Sequence, residues 1–301
     1  MNKVGVCEWC LPVWGPFSLD FAADCGFEGI QLTDLLGPYR GFPMTNKCIQ
    51  EGYLAASKRT GVALASMHLM TLSHTTGHVQ PMDSPKGQMA KLNLEKGIEG
   101  CTAMKIPVIN VSGGNTGGIG SPIIQENWNN LIAFLNYAVK ACADNGIKLA
   151  YETSLPIIYV NEMLERVPGL TINYDIDNST VVGTGFEIPL NLTAEQIDHI
   201  HIKDSRFENG KKLSVITGTG TGNIAEGVRL LNKIGFEGWY FSENKYIQYL
   251  LPIDIVLHNY GSKDFDELSI NDRLQHEPFG LGDDLTTIIR ADCEAIKKMV
   301  L

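Results

Sequence analysis

The run His199-Ile200-His201-Ile202-Lys203-Asp204 sets two imidazoles and an ammonium at every second position, with isoleucines between them. Such alternation suits a strand whose polar groups share one side. Three other largely apolar runs end on an oxygen ligand: Leu149-Ala150-Tyr151-Glu152, Ile172-Asn173-Tyr174-Asp175 and Trp239-Tyr240-Phe241-Ser242-Glu243. Two Glu, one Asp and one His, carried on four strands of a parallel barrel, would converge at its C-terminal mouth and could hold one divalent cation. A cation there would stabilise the negative charge that develops on a substrate oxygen when a neighbouring C–H proton leaves. Glu152 and Glu243, from different strands, would face opposite sides of that carbon as general base and general acid. Return of the proton to the adjacent carbon would give an isomerisation, and return to the opposite face of the same carbon would give an epimerisation. Loss of a β-hydroxyl from the anion left by proton removal would give dehydration.

Positioning these groups requires strands and helices in strict alternation, and the chain supplies about eight rounds. Strands are predicted over 4–7, 29–32, 62–67, 107–111, 147–152, 170–175, 197–202 and 239–243. Between them, Ser18 is placed to cap a first helix, a second runs from Thr45 to about Thr60, and others cover 85–104, 125–144 and about 159–165. Residues 125–144 carry the clearest helical spacing, through Leu131, Phe134, Leu135, Ala138 and Val139. A further helix follows the Gly218–Ile224 segment, and the last carries Leu285, Ile288, Ile289, Ile296 and Met299. Eight such units in one chain favour a closed (β/α)8 barrel of the α/β class over an open doubly wound sheet. The period breaks once, between the eighth strand and the last helix. That long insertion, at about 246–282, follows a strand end and is expected to act as a lid or subunit contact, within a single domain spanning 1–301.

Composition narrows the function classes. At 301 residues and 33.0 kDa, the chain suits a barrel, which commonly needs about 250 residues. The net charge of -10 lacks the basic footprint of a nucleic-acid binder. This disfavours a metal phosphodiesterase acting on DNA and points to a small polar substrate. Seven cysteines scattered through apolar segments read as reduced, mostly buried thiols of a cytoplasmic protein. The amino terminus enters a strand pattern at once, and no stretch approaches the roughly 20 apolar residues of a membrane span.

Other polar residues have plainer readings. His199 lies one layer deeper than His201 and reads as a packed, hydrogen-bonded histidine. Asp177, two residues past its strand, suits a loop or supporting role. Cys7-Glu8-Trp9-Cys10 has redox spacing but no second pair, which favours core thiols. His74-Thr75-Thr76-Gly77-His78 reads as a mobile polar loop. His68, at the end of the third strand, is a candidate for touching substrate. Lys203 is expected to pair with nearby carboxylates or substrate oxygens. Gly218-Thr219-Gly220-Thr221-Gly222 opens a helix and could cradle a phosphate through backbone N–H groups, but it lacks the lysine of a nucleotide-binding P-loop.

On these residues the chain resembles the sugar phosphate isomerase/epimerase family of xylose-isomerase-like TIM barrels, which includes keto-sugar 3-epimerases, hydroxypyruvate isomerases and inosose dehydratases. The matching motifs are Gly26-Phe27-Glu28-Gly29-Ile30-Gln31-Leu32, Tyr151-Glu152, Tyr174-Asp175-Ile176-Asp177-Asn178, the His199–Asp204 run, Gly218–Ile224 and Gly238-Trp239 leading to Glu243. The resemblance implies one divalent ion (Mn, Mg, Co or Zn) on Glu152, Asp175, His201 and Glu243, with the two glutamates also exchanging protons with a keto sugar. It implies substrate contacts from His68, Asn178 and Lys203, a carbohydrate as the partner, and room for a homo-oligomer. Two positions depart from the pattern: Asn178 stands where the best-known epimerases have His, and Thr217 stands where Arg often precedes the glycine segment. An inosose-type dehydratase is the alternative on the same scaffold.

Overall fold

The computed structural model describes residues 1–113, 124–208, 211–244, 246 and 285–301. In chain order its strands are β1 (Lys3–Cys7), β2 (Gly29–Thr33), β3 (Ala63–His68), β4 (Val108–Ser112), β5 (Lys148–Thr153), β6 (Thr171–Asp175), β7 (Ile197–Ile202), β8 (Asp204–Glu208), β9 (Lys211–Val215) and β10 (Trp239–Ser242). Eight of them close into a barrel in the order β1-β10-β7-β6-β5-β4-β3-β2. All eight pairings are parallel, and β1 seals the ring by pairing with both β2 and β10. The predicted (β/α)8 barrel is therefore the observed one, and each of the eight expected strands lies within one residue of its observed limits. The insertion expected at about 246–282 lies outside the described residues, apart from Tyr246.

Helices α1 (Phe17–Asp24), α2 (Lys47–Thr60), α3 (Met70–Thr75), α4 (Pro85–Met104), α5 (Gln125–Ala143), α6 (Ile157–Arg166), α7 (Ile176–Val182), α8 (Glu187–Asn191), α9 (Ile224–Lys233) and α10 (Leu285–Val300) connect and surround the strands. The longer ones follow their local signals. Ser84 accepts a hydrogen bond from the Gly87 N–H at 3.1 Å with Pro85 at the first helical position, and Asn46 caps α2 through the Cys48 N–H. Ser18 is not a cap. It sits inside α1 and donates its hydroxyl to Glu8 at 3.0 Å. The expected mobile loop around His74–His78 is instead α3 followed by a 3-10 turn, Gly77–Val79. There His78 is buried and donates from Nε2 to the Gly113 carbonyl at 2.8 Å. The β8–β9 hairpin, antiparallel from Asp204↔Val215 to Glu208↔Lys211, has no counterpart among the predicted elements.

The barrel interior is aromatic at one end and polar toward the other. Trp239 and Phe241 of β10 stack at 5.5 Å with an interplanar angle of 12°, and two paired glycines on the neighbouring strands β1 and β2 make room for them. A Cβ on Gly29 would sit 2.4 Å from the Trp239 ring, and one on Gly5 would sit 2.5 Å from Phe241. Above these rings come buried polar side chains, among them Gln31, Ser66, His68, Asn110, Asn173, His199 and His201. Gly29→Ala should therefore overpack the barrel floor, lowering the unfolding free energy by about 1–3 kcal/mol. Urea denaturation checks this; an unchanged midpoint and slope would mean that Trp239 moves aside at little cost.

Candidate metal centre and active site

Each expected ligand stands at or just beyond the carboxyl end of its strand. Glu152 is the fifth residue of β5, Asp175 closes β6, His201 lies on β7, and Glu243 follows β10, its N–H donating to the Ile202 carbonyl at 3.0 Å. One ligand atom from each of the four lies within 4.8 Å of all the others. Strand register explains the convergence, since Asp175 pairs with His201 and His201 with Phe241, two residues before Glu243. The His201 Nδ1 faces Glu152 Oε1 at 3.4 Å and Glu243 Oε2 at 3.7 Å. It is buried, and its contact with Glu152 falls short of hydrogen-bond geometry, so among the described residues it has no well-formed partner.

Lys203 completes the cluster. Its Nζ donates to Asp175 Oδ2 at 2.7 Å and to Glu243 Oε2. Trp9 donates from Nε1 to Glu243 Oε1 at 3.1 Å, and the Asn178 backbone N–H donates to Asp175 Oδ1 at 2.8 Å. Three carboxylates against one ammonium leave an excess of two negative charges when His201 is neutral, and one divalent cation balances that excess. The donor set of oxygens and one imidazole nitrogen likewise suits such a cation. Burial pushes the Asp175 carboxyl up, to about 6, against the pull of Lys203. Burial raises Glu152 too, but His201 outweighs it and holds that carboxyl below its ordinary value. For His201 and Lys203, burial favours the neutral form, yet the carboxylates prevail and raise both.

His68, Asn178 and Lys203 were the residues expected to meet substrate. Of these, Lys203 lies inside the cluster. His68 is buried beside it, its ring 5.1 Å from that of Trp9, which also meets the His201 ring edge-on at 5.9 Å. Asn110 donates to His68 Nδ1 at 2.8 Å. Asn178 is half-buried in the first turn of α7 and reaches the cluster through its backbone N–H. Asp177 is fully buried between Ser205, at 2.7 Å, and Lys212, at 2.6 Å, and so pins the hairpin to α7. Trp9 and Gln31 are the site residues that sequence reasoning left without a role. Gln31 had a signal, a polar side chain in the middle of an apolar strand; Trp9 follows a strand end, and nothing local marks it.

The glycine segment does not present an open anion cradle. The Asp204 carboxylate fills it, accepting from the backbone N–H groups of Gly218 (2.9 Å), Gly220 (2.8 Å) and Gly222 (3.0 Å), and from Ser205 (2.9 Å). A Cβ on Gly220 would stand 2.4 Å from Asp204 Oδ1, so glycine is what permits the approach. Thr217, where the family pattern has Arg, is buried and gives its N–H to Asp292 at 2.6 Å.

The acidic, histidine-containing cluster at the C-terminal mouth of this parallel eight-stranded barrel stands where sites of this fold lie. Residues 19–250 match the family model for the xylose isomerase-like TIM barrel, and the chain belongs to that family. It is 27% identical over 230 residues to a 2-epi-5-epi-valiolone 7-phosphate 2-epimerase of Actinoplanes sp., covering 74% of this chain and 79% of that one. Among solved structures it resembles a D-psicose 3-epimerase crystallised with D-fructose (TM-score 0.70, 13% identity, 99% of each chain). It also resembles the IOLI protein with a bound zinc atom (TM-score 0.68, 12% identity, 99% of this chain and 98% of that one). At such identities the structures testify to the fold.

Burial drives the His68 imidazole down to about 4, so the folded protein holds it neutral while an unfolded chain binds a proton near 6.5. The unfolded state therefore gains protons first, and stability is lost as pH falls from about 6.5 toward 4, by up to about 3 kcal/mol from this residue. His78 and His199, also lowered by burial, add the same sign. Glu8, Asp34 and Asp292, raised by burial, oppose it. The clean readout is the difference between wild type and His68→Asn in denaturation across this range: the variant should show the shallower loss, and equal slopes would remove His68 from the linkage.

Proposed function

We propose that the protein is a divalent-metal-dependent isomerase or epimerase of a small keto sugar or sugar phosphate. The observation that carries this reading is the joint placement of Glu152, Asp175, His201 and Glu243 around the unsatisfied His201 Nδ1. Those four residues would hold the cation, which supplies Lewis acidity toward the substrate's carbonyl and hydroxyl oxygens. The proton chemistry belongs to the chain. Glu152 and Glu243 come from β5 and from the end of β10, so they can address one carbon from two sides, one removing its proton and the other returning one. Glu243 is held in place by Trp9 and Lys203, and the Lys203 ammonium offsets the negative charge of an enediolate beside it. The epimerase names among the similar proteins agree with this reading. Water loss in place of proton return would mark the related dehydratase chemistry.

Purified protein should take up about one divalent ion, and Asp175→Ala or His201→Ala should abolish uptake while the barrel stays folded. Uptake should also weaken as pH drops below about 6, where Asp175 holds a proton in place of the cation. Isothermal titration at several pH values tests both points, and unchanged metal content in both variants would rule out the ligand set.

Glu152→Gln and Glu243→Gln keep size and one oxygen but remove the basic carboxylate, and each should lose at least about 10²-fold in turnover on any ketose the wild type converts. In D₂O the wild type should place deuterium on the carbon next to the carbonyl without loss of water, read by mass spectrometry of the product. Gln variants as fast as wild type, with no solvent isotope in the product, would end the two-carboxylate mechanism.

A further inference from the structure

Gln31 lies on β2 and the two histidines of the His199–Asp204 run lie on β7, with β1 and β10 between them around the ring. The Gln31 side chain therefore crosses the barrel interior, fully buried, and its one amide meets both imidazoles. Its Nε2 is 3.0 Å from His199 Nε2, and its Oε1 is 2.6 Å from His201 Nε2. An amide has one donating end and one accepting end, so one histidine must accept at Nε2 and the other must donate.

The neighbours decide which is which. His199 Nδ1 lies 3.0 Å from the Asp198 carboxylate; an ionised carboxylate only accepts, so the hydrogen of His199 sits on Nδ1 and its Nε2 offers a lone pair. Gln31 must then turn its NH₂ toward His199 and its oxygen toward His201. A second contact agrees: the Cys7 thiol donates to the same Oε1 at 3.4 Å. His201 consequently carries hydrogen on Nε2, and Nδ1 is the nitrogen that faces Glu152 and Glu243 without a hydrogen-bond partner. Asn173 also approaches His201 Nε2, at 3.1 Å, and its Oδ1 is buried without a partner. As placed, Nδ2 is the Asn173 atom facing that nitrogen; hydrogen on His201 Nε2 requires this amide turned over, so that Oδ1 shares the one hydrogen given chiefly to Gln31.

We propose that Gln31 is a positioning residue that sets the tautomer of His201 through the chain Asp198–His199–Gln31–His201, so that Nδ1 presents its lone pair to the cation. This rests on the reading of the mouth as a metal centre. Such outer partners of a metal-binding histidine fix its ring and raise its basicity. Here the partner is a neutral amide, whose own orientation is dictated from the far side of the barrel.

The test uses zinc as the probe, with calorimetry and long-range ¹H–¹⁵N imidazole spectra. Gln31→Met removes both ends of the amide and should weaken zinc binding about 10- to 100-fold, whereas Gln31→Glu keeps an oxygen toward His201 and should bind zinc at least as tightly as the wild type. In the zinc-loaded wild type, His201 should show hydrogen on Nε2 and His199 hydrogen on Nδ1. Zinc on His201 Nε2, wild-type affinity in Gln31→Met, or equal losses in both variants would each overturn the proposal. If Gln31→Met does not fold, the wild-type spectrum and the Glu variant decide. Absence of zinc uptake by the wild type would remove the metal reading and this one together, while normal uptake with unchanged Gln31→Met affinity would remove this one alone.

Discussion

Three carboxylates brought within reach of one another at the mouth of a barrel repel, and much of the surrounding structure offsets that repulsion. Lys203 is the main counterweight, bridging Asp175 and Glu243 from a nearly buried position. A lone buried ammonium would tend to lose its proton, and isolated buried carboxylates would tend to gain one; together they hold each other charged. The balance is incomplete by design of composition, because the group has more acid than base. That residual negative charge is of the sign that a divalent cation would offset.

Such a cluster also needs rigid walls, since an error of an ångström in a ligand costs affinity and rate. The barrel provides them by grading its interior. Aromatic rings over Gly5 and Gly29 close one end without voids. The layer above is a lattice of amides and imidazoles in which Gln31 joins His199 to His201 and Asn110 joins His68. Buried polar groups are costly unless paired, and the pairings to His68, His199 and His201 fix rings beside the mouth. Trp9 then spans the two histidine systems, one face toward His68 and its indole N–H on Glu243.

The barrel and the convergence of the four polar strand-end residues were legible in the chain because barrel strands carry a strong period of two and end on single polar residues. Glu152, Asp175, His201 and Glu243 announce themselves as single polar residues closing apolar runs, and the strand limits follow within a residue. What escaped depends on contacts distant in sequence. Trp9 meets Glu243 across 234 residues, and Gln31 meets His199 across 168; no local pattern records either. The β8–β9 hairpin escaped because Lys203 and Asp204 read as the end of one strand, whereas the chain begins a second strand at Asp204 and returns antiparallel to Val215. Ser18 was misplaced as a cap because the carboxylate that claims its hydroxyl, Glu8, lies ten residues earlier.

Three buried acids outside the mouth, Glu8, Asp204 and Asp292, accept hydrogen bonds from neutral donors. Glu8 receives the N–H groups of Gly15 and Thr33 and the hydroxyls of Ser18 and Tyr53, tying β1, α1, β2 and α2 together. Asp204 is filled by three glycine N–H groups and Ser205. Asp292 takes Thr217, Ser242 and Tyr246, joining α10 to the eighth barrel strand. These carboxylates are served by neutral donors of the protein itself, so they act as fixed joints. The acids of the mouth are held differently: Asp175 and Glu243 lean on a shared ammonium, and Glu152 faces the bare Nδ1 of His201 at 3.4 Å. A glycine segment that might have offered its N–H groups to a phosphate is already committed to Asp204, so the fold's own anion stabilises the loop there. Glu8, Asp204 and Asp292 are thus saturated by neutral donors, whereas Asp175 and Glu243 share the Lys203 ammonium beside the His201 imidazole.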